Sequence, residues 1–137
     1  MAHTTWMLDT NICSYILRRK PQEVHNRFES LPAGAVVVSS IVAAELCYGA
    51  ACHPQGREIQ PEIDELLSGL EVTPWDEAAA RVYGVLRTQL EVRGQLIGGL
   101  DLQIAAHALS LGATLVTNNQ REFKRVPRLK LENWISE

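Results

Sequence analysis

A three-layer α/β domain with a mainly parallel sheet of about five short strands is what this sequence predicts. Three observations lead there. Short apolar runs alternate with longer helical patterns along the whole chain, as in strand–helix–strand crossover units. Ala35 to Val38 is a continuous apolar run, mostly β-branched, of the kind found in strands buried on both faces. Gly34, the His53 to Gly56 stretch and Gly112 punctuate the chain between elements.

Taken in order, Thr4 to Leu8 reads as a strand that stops at Asp9, Thr10 and Asn11. A helix follows to about Arg19, and Pro21 opens another that stops near Leu31 and Pro32. After Gly34 comes the buried strand ending at Ser39. Ser40 can cap a helix running to about Cys52. A polar-faced helix is expected from Arg57 to Leu70, with Pro61 an awkward point in it. Glu71 to Thr73 is a short strand, and Asp76 caps a long helix ending at Gly94. Ile97, Gly98 and Gly99 read as a mobile loop. The next helix, Leu100 to Leu111, stops at Gly112. Thr114 to Thr117 is a buried strand, and Lys130 to Glu132 an edge strand.

At 137 residues the chain is expected to form one domain, residues 1–137, large enough to bury a core. Its 46% hydrophobic and 21% charged residues are ordinary for a soluble protein. The net charge of −3 gives no global attraction to nucleic acid, so any such binding has to come from local basic patches. No apolar run has membrane-spanning length, and the N-terminus lacks the regions of a signal peptide. Cys13, Cys47 and Cys52 lie in or beside apolar helical segments and read as buried thiols of a reducing compartment rather than a disulfide framework. The expected location is cytoplasmic.

Three carboxylates stand alone in uncharged stretches. Asp9 is the only Asp, Glu, Lys or Arg before Arg18, Glu45 the only one between Glu29 and Arg57, and Asp101 the only one between Arg93 and Arg121. Each is flanked by residues that should build the core, where an ionised acid is costly unless a cation compensates it. Three acids with the same problem suggest a shared divalent metal. Each also has a plainer reading. Asp9, Thr10 or Asn11 can be a helix cap, Asp101 can cap the helix beginning near Leu102, and Glu45 can be a mid-helix solvent residue or a buried pair. Asp9 lies just beyond the first strand and Asn118 and Asn119 just beyond the fourth, the end of a parallel sheet where ligands bind. Asn119 or Glu122 would complete a metal site there, directly or through water; the plainer alternative is an Asn-rich turn. His107 reads as a packed core residue. No zinc-type spacing, phosphate-binding glycine loop or Ser-His-Asp arrangement is present.

Two basic runs flank these strand ends. Arg18, Arg19 and Lys20 follow the first helix; Arg121, Lys124, Arg125, Arg128 and Lys130 follow the Asn-Asn turn. Basic edges around an acidic, metal-filled centre suit a phosphodiester substrate.

In order and spacing, four segments resemble the PIN-domain nucleases, and more closely the VapC toxins of bacterial toxin–antitoxin pairs. They are Met7 to Asn11; Ser39 and Ser40 with Glu45, Leu46 and Tyr48 to Ala50; Asp101 to Ala108; and Thr117 to Asn119 with Glu122 and Phe123. The resemblance implies an Mg²⁺- or Mn²⁺-dependent endoribonuclease. Asp9, Glu45 and Asp101 would be its acidic metal ligands and Glu122 a further catalytic acid, since Asn119 stands where many such domains carry Asp. Thr10 or Asn11, Ser39 and Thr117 would orient carboxylates. It further implies a structured RNA substrate, often tRNA, a cognate antitoxin, and a homodimer. A metal-activated water would attack the phosphate in line. Two other readings compete: a binding module that has kept the fold without catalysis, and a receiver-type phospho-acceptor domain, which shares the size and the acidic pocket.

Overall fold

The computed structural model describes residues 3–32 and 34–136. The chain runs β1 (Trp6–Leu8), α1 (Thr10–Arg18), α2 (Gln22–Ser30), β2 (Val36–Ser39), α3 (Ser40–Cys52), α4 (Gly56–Ser68), β3 (Glu71–Thr73), α5 (Glu77–Val92), α6 (Gly99–Leu111), β4 (Thr114–Val116), α7 (Gln120–Phe123) and β5 (Lys130–Glu132). The sheet order is β3-β2-β1-β4-β5, and every neighbouring pair is parallel. The sheet is thus wholly rather than mainly parallel. A receiver-type sheet has its first strand between the second and third. Here β1 lies between β2 and β4, and that reading is set aside.

β1, β2 and β3 progress toward one edge, and the chain then crosses back to lay β4 on the other side of β1. Right-handed crossovers consequently place α1 to α4 on one face and α5 and α6 on the other. The order reverses between β1 and β4, which opens a crevice at their carboxyl ends. All four residues of β2 are buried, in keeping with a strand covered on both faces. Met7, Leu8, Val38, Leu115, Ile12 and Leu102 form the centre of the core.

Of the three cysteines expected to be buried, Cys13 is, but Cys47 and Cys52 are exposed, because α3 buries only the face that carries Val42, Leu46 and Ala50. Several boundaries also differ from the sequence expectation. Ser39, not Ser40, caps α3: its hydroxyl accepts the Ile41 N–H at 3.1 Å, because β2 passes into the helix without a loop. Pro61 lies inside α4. The carbonyl it leaves unbonded belongs to Arg57 in the exposed first turn, where water replaces the lost N–H. α4 already starts at Gly56, where a Cβ would overlap the Ala50 carbonyl, so the tight α3–α4 turn requires glycine. The expected stop at Gly112 is present, with φ at 64° and its N–H returned to the last turn of α6.

Candidate active site at the carboxyl ends of β1 and β4

Asp9 follows β1 directly. Its N–H donates to the Val116 carbonyl at 3.1 Å, which pins it to the end of β4. Its Oδ1 accepts from the Ile12 N–H at 2.9 Å, so it is the N-cap of α1. The cap and site readings of Asp9 are therefore compatible: one oxygen serves the helix, and the carboxylate still faces the crevice. The side chain is only 6% exposed. Burial raises its pKa and the Glu45 charge adds to this, while the Thr117 hydroxyl and the Ile12 and Asn11 amides act in the opposite sense.

Glu45 sits in the second turn of α3, half-buried, and Thr10 Oγ1 donates to its Oε1 at 2.7 Å. Asp101 lies in the first turn of α6, whose N-cap is Gly98. The plainer reading of Asp101 as a cap is set aside, because α6 starts before it and its carboxyl faces other acids. Desolvation pushes it up to about 7, reinforced by Glu122, Asp9 and Glu45. Glu122 goes the other way. The Gly98 N–H donates to its Oε1 at 2.7 Å and Asn119 Nδ2 to its Oε2 at 2.8 Å. These bonds, with Arg125 nearby, hold its carboxyl below the usual range. Crowding thus raises the Asp101 carboxyl while amide donors lower that of Glu122.

Four acids from four separated segments thus act on one another across the crevice. Asp9, Glu45 and Asp101 form no ion pair among the described residues. Nor have three such groups already closed to ligating distance among those residues.

Comparison with known proteins gives this geometry a family. The PIN-domain profile matches residues 6–129. Ribonuclease VapC2 of Rickettsia felis is 46% identical over 130 residues, covering 94% of this chain and 97% of that protein. The chain belongs to the PIN-domain family, within its VapC branch. The tRNA(fMet)-specific endonuclease VapC of Shigella flexneri is 40% identical over 129 residues, with 94% and 97% coverage. The crystal structure of VapBC2 from Rickettsia felis, bound to a DNA fragment from their promoter, superposes with a TM-score of 0.91 at 44% identity, covering 96% of this chain and 100% of that one.

The remaining predicted residues of this PIN domain divide into those near the acids and those away from them. Thr10 and Thr117 act on carboxylates. Thr117 Oγ1 also accepts the Asn119 N–H at 2.9 Å, which shapes the turn into α7. Asn119 reaches Glu122 through its amide. Ser39 touches no carboxylate, because its hydroxyl is occupied by the α3 cap and by His107. Asn11 is exposed, and it is its backbone that acts on Asp9. Arg18, Arg19, Lys20, Arg121, Lys124 and Arg125 are all exposed. Arg18 joins Thr10 and Glu45 in lining a groove of about 510 Å³ between α1, α3 and α4. Arg125 donates to the Leu96 carbonyl at 3.2 Å. With the Gly98–Glu122 bond, it ties down the segment expected to be a mobile loop. Sequence reasoning missed Gly98 and Leu96 as anchors; the only signal was the pair of glycines before the isolated Asp101.

Proposed function

We infer that the chain is a metal-dependent endoribonuclease acting as the toxin of a toxin–antitoxin pair, with residues 1–137 as one nuclease unit. The observation that carries this reading is the convergence of Asp9, Glu45 and Asp101 at the β1/β4 switch point, none of them in an ion pair among the described residues.

The donor set fits a hard divalent cation. Asp9, Glu45 and Asp101 would hold it through carboxylate oxygens, ligands that suit Mg²⁺ or Mn²⁺ rather than a soft metal. The cation supplies charge that lowers the pKa of bound water and stabilises the phosphate. The chain itself does the positioning. Asp9 is fixed by Ile12 and the end of β4, Glu45 by Thr10, and the Asp101 turn by the Gly98–Glu122 bond. The crowding that raises the Asp101 carboxyl in the metal-free chain is what a bound divalent cation would relieve, leaving Asp101 ionised as a ligand. Exposed Arg18, Arg19 and Lys20 on one side and Arg121, Lys124 and Arg125 on the other supply contacts for the RNA backbone. Water attacks phosphorus in line, the P–O3′ bond breaks, and the products end in 3′-hydroxyl and 5′-phosphate.

Kinship to a tRNA(fMet)-specific endonuclease supports tRNA as the substrate class. Likeness to a toxin chain solved within a VapBC complex supports a cognate antitoxin as partner. A homodimer and a cytoplasmic location belong to the same reading; no helix among the described residues is long and apolar enough to cross a membrane.

The test is cleavage of total bacterial RNA by antitoxin-free protein with Mg²⁺ or Mn²⁺, with EDTA, and with Asp9→Asn. Discrete fragments that vanish with EDTA and with the variant are expected. Products ending in 2′,3′-cyclic phosphate would overturn the water mechanism. Folded, metal-loaded protein that cuts nothing would favour a binding module.

A further inference from the structure

Glu45 and Asp101 reach the crevice from opposite layers of the sheet, so the spacing of α3 and α6 sets how far apart they stand. Two joints bridge these helices. In the first, Ser39 Oγ accepts the Ile41 N–H and lies 2.8 Å from His107 Nδ1. Both residues are enclosed, at 0% and 1% exposure. In the second, Trp75, between β3 and α5, donates its backbone N–H to Ser40 Oγ at 3.0 Å and its indole N–H to the Gln103 carbonyl at 2.9 Å. That carbonyl is the one an α-helix pairs with the N–H of residue 107. Both joints therefore grip the same turn of α6, immediately after Asp101. Tyr83 braces Trp75 edge-on, with ring centroids 5.9 Å apart.

Stability does not explain this histidine. Its Nε2 is buried without a hydrogen-bond partner among the described residues. The Pro74 carbonyl and the Asp76 charge act on the ring without completing a bond. Either tautomer leaves one polar edge of an enclosed ring uncompensated; leucine would remove that edge at the cost of the Ser39 hydroxyl's side-chain partner, so the two penalties roughly offset.

We propose that His107 and Trp75 are positioning residues of the nuclease, acting through Ser39, Ser40 and Gln103 to hold α3 and α6 at the spacing in which Glu45 and Asp101 bind one divalent cation. The proposal rests on the metal-dependent reading above. Neither side chain is among the acids, so the effect is transmitted by the helices.

The experiment is Mn²⁺ titration of the full-length, RNA-free protein, followed by the electron paramagnetic resonance signal of free Mn²⁺, with thermal melts in EDTA. His107→Leu should weaken Mn²⁺ binding roughly tenfold or more while melting close to wild type. His107→Asn, whose amide occupies the Nδ1 position, should recover most of that loss. Trp75→Phe keeps the contact with Tyr83, loses only the indole donor, and should weaken Mn²⁺ binding about threefold. Wild-type affinity in His107→Leu would overturn the proposal. So would equal weakening in the Leu and Asn variants with lowered melting in both, the mark of simple packing. If His107→Leu fails to fold, Trp75→Phe decides alone, and unchanged affinity overturns the proposal. A wild-type protein that neither binds Mn²⁺ nor cuts RNA removes the nuclease reading itself; one that does both, matched by its variants, removes only the joints.

Discussion

Replacing Asp101 with Asn should make the metal-free protein more stable at alkaline pH while destroying its function. The carboxyl is pushed from its ordinary 3.8 up to about 7, first by desolvation and then by Glu122, Asp9 and Glu45. Between those two values the folded chain holds a proton that the unfolded chain has released. Stability therefore falls as pH rises through that window and is flat above it. Unscreened, the interval is worth about 4 kcal/mol. Solvent reaches Asp101, so roughly 1–2 kcal/mol of that remains. An asparagine amide donates to Glu122 as the protonated acid does, and carries no charge to repel Asp9 or Glu45. For a chain of this length, that gain raises the melting temperature by roughly 3–8 °C. The assay is thermal unfolding in EDTA at a series of pH values from 4 to 9. The two proteins should nearly coincide at pH 4 and separate progressively toward pH 7, with the variant above. A variant that melts lower at pH 8, or a gap that does not change with pH, would refute the account of a repulsive, desolvated acid cluster.

Asp9→Asn should reduce RNA cleavage at least a hundredfold while keeping the circular dichroism spectrum, because asparagine caps α1 as well as aspartate does; an unfolded variant would mean that Asp9 is a structural cap alone. Thr10→Val removes the 2.7 Å bond to Glu45 and should cost roughly 10–100-fold in cleavage rate at limiting metal, with an unchanged rate counting against any role in holding the carboxylate. At the far edge of the sheet, burial pushes Glu132 up, but hydrogen bonds from Trp6, Trp134 and Arg27, with the Arg27 charge, outweigh it and hold the carboxyl below its ordinary value. A depressed carboxyl adds stability above its ordinary value and loses it as pH falls through the folded one. Glu132→Gln should therefore melt lower than wild type at pH 7, with the gap closing in acid; a constant gap would assign Glu132 to packing instead.

What could be read from the sequence follows from how local each feature is. The Asp9 turn needs only a strand ending and a helix beginning within a few residues, so its place was legible from the chain itself. The isolation of Asp9, Glu45 and Asp101 was legible because charge in an apolar stretch needs a reason wherever the stretch folds. The start of α6 is not legible, because the two glycines before Asp101 look like loop, whereas Gly99 already belongs to the helix. The Gly98–Glu122 bond spans 24 positions and has no local signature. The same holds for the Ser39–His107 contact across 68: a histidine in an apolar helix face looks the same from sequence whether or not a buried hydroxyl meets it.

The bond from the Asp9 N–H to the Val116 carbonyl bears on when, during synthesis, the site comes together. Asp9 is synthesised early, but the strand end that fixes it, and Glu122 beyond, come in the last quarter of the chain. A ribosome-bound or truncated chain ending before β4 carries Asp9, Glu45 and Asp101 without Glu122 and without the strand end that fixes Asp9. The assembled site thus arrives with β4 rather than growing as the chain does. Destabilising the β1–β4 pairing would silence the protein without touching any acid.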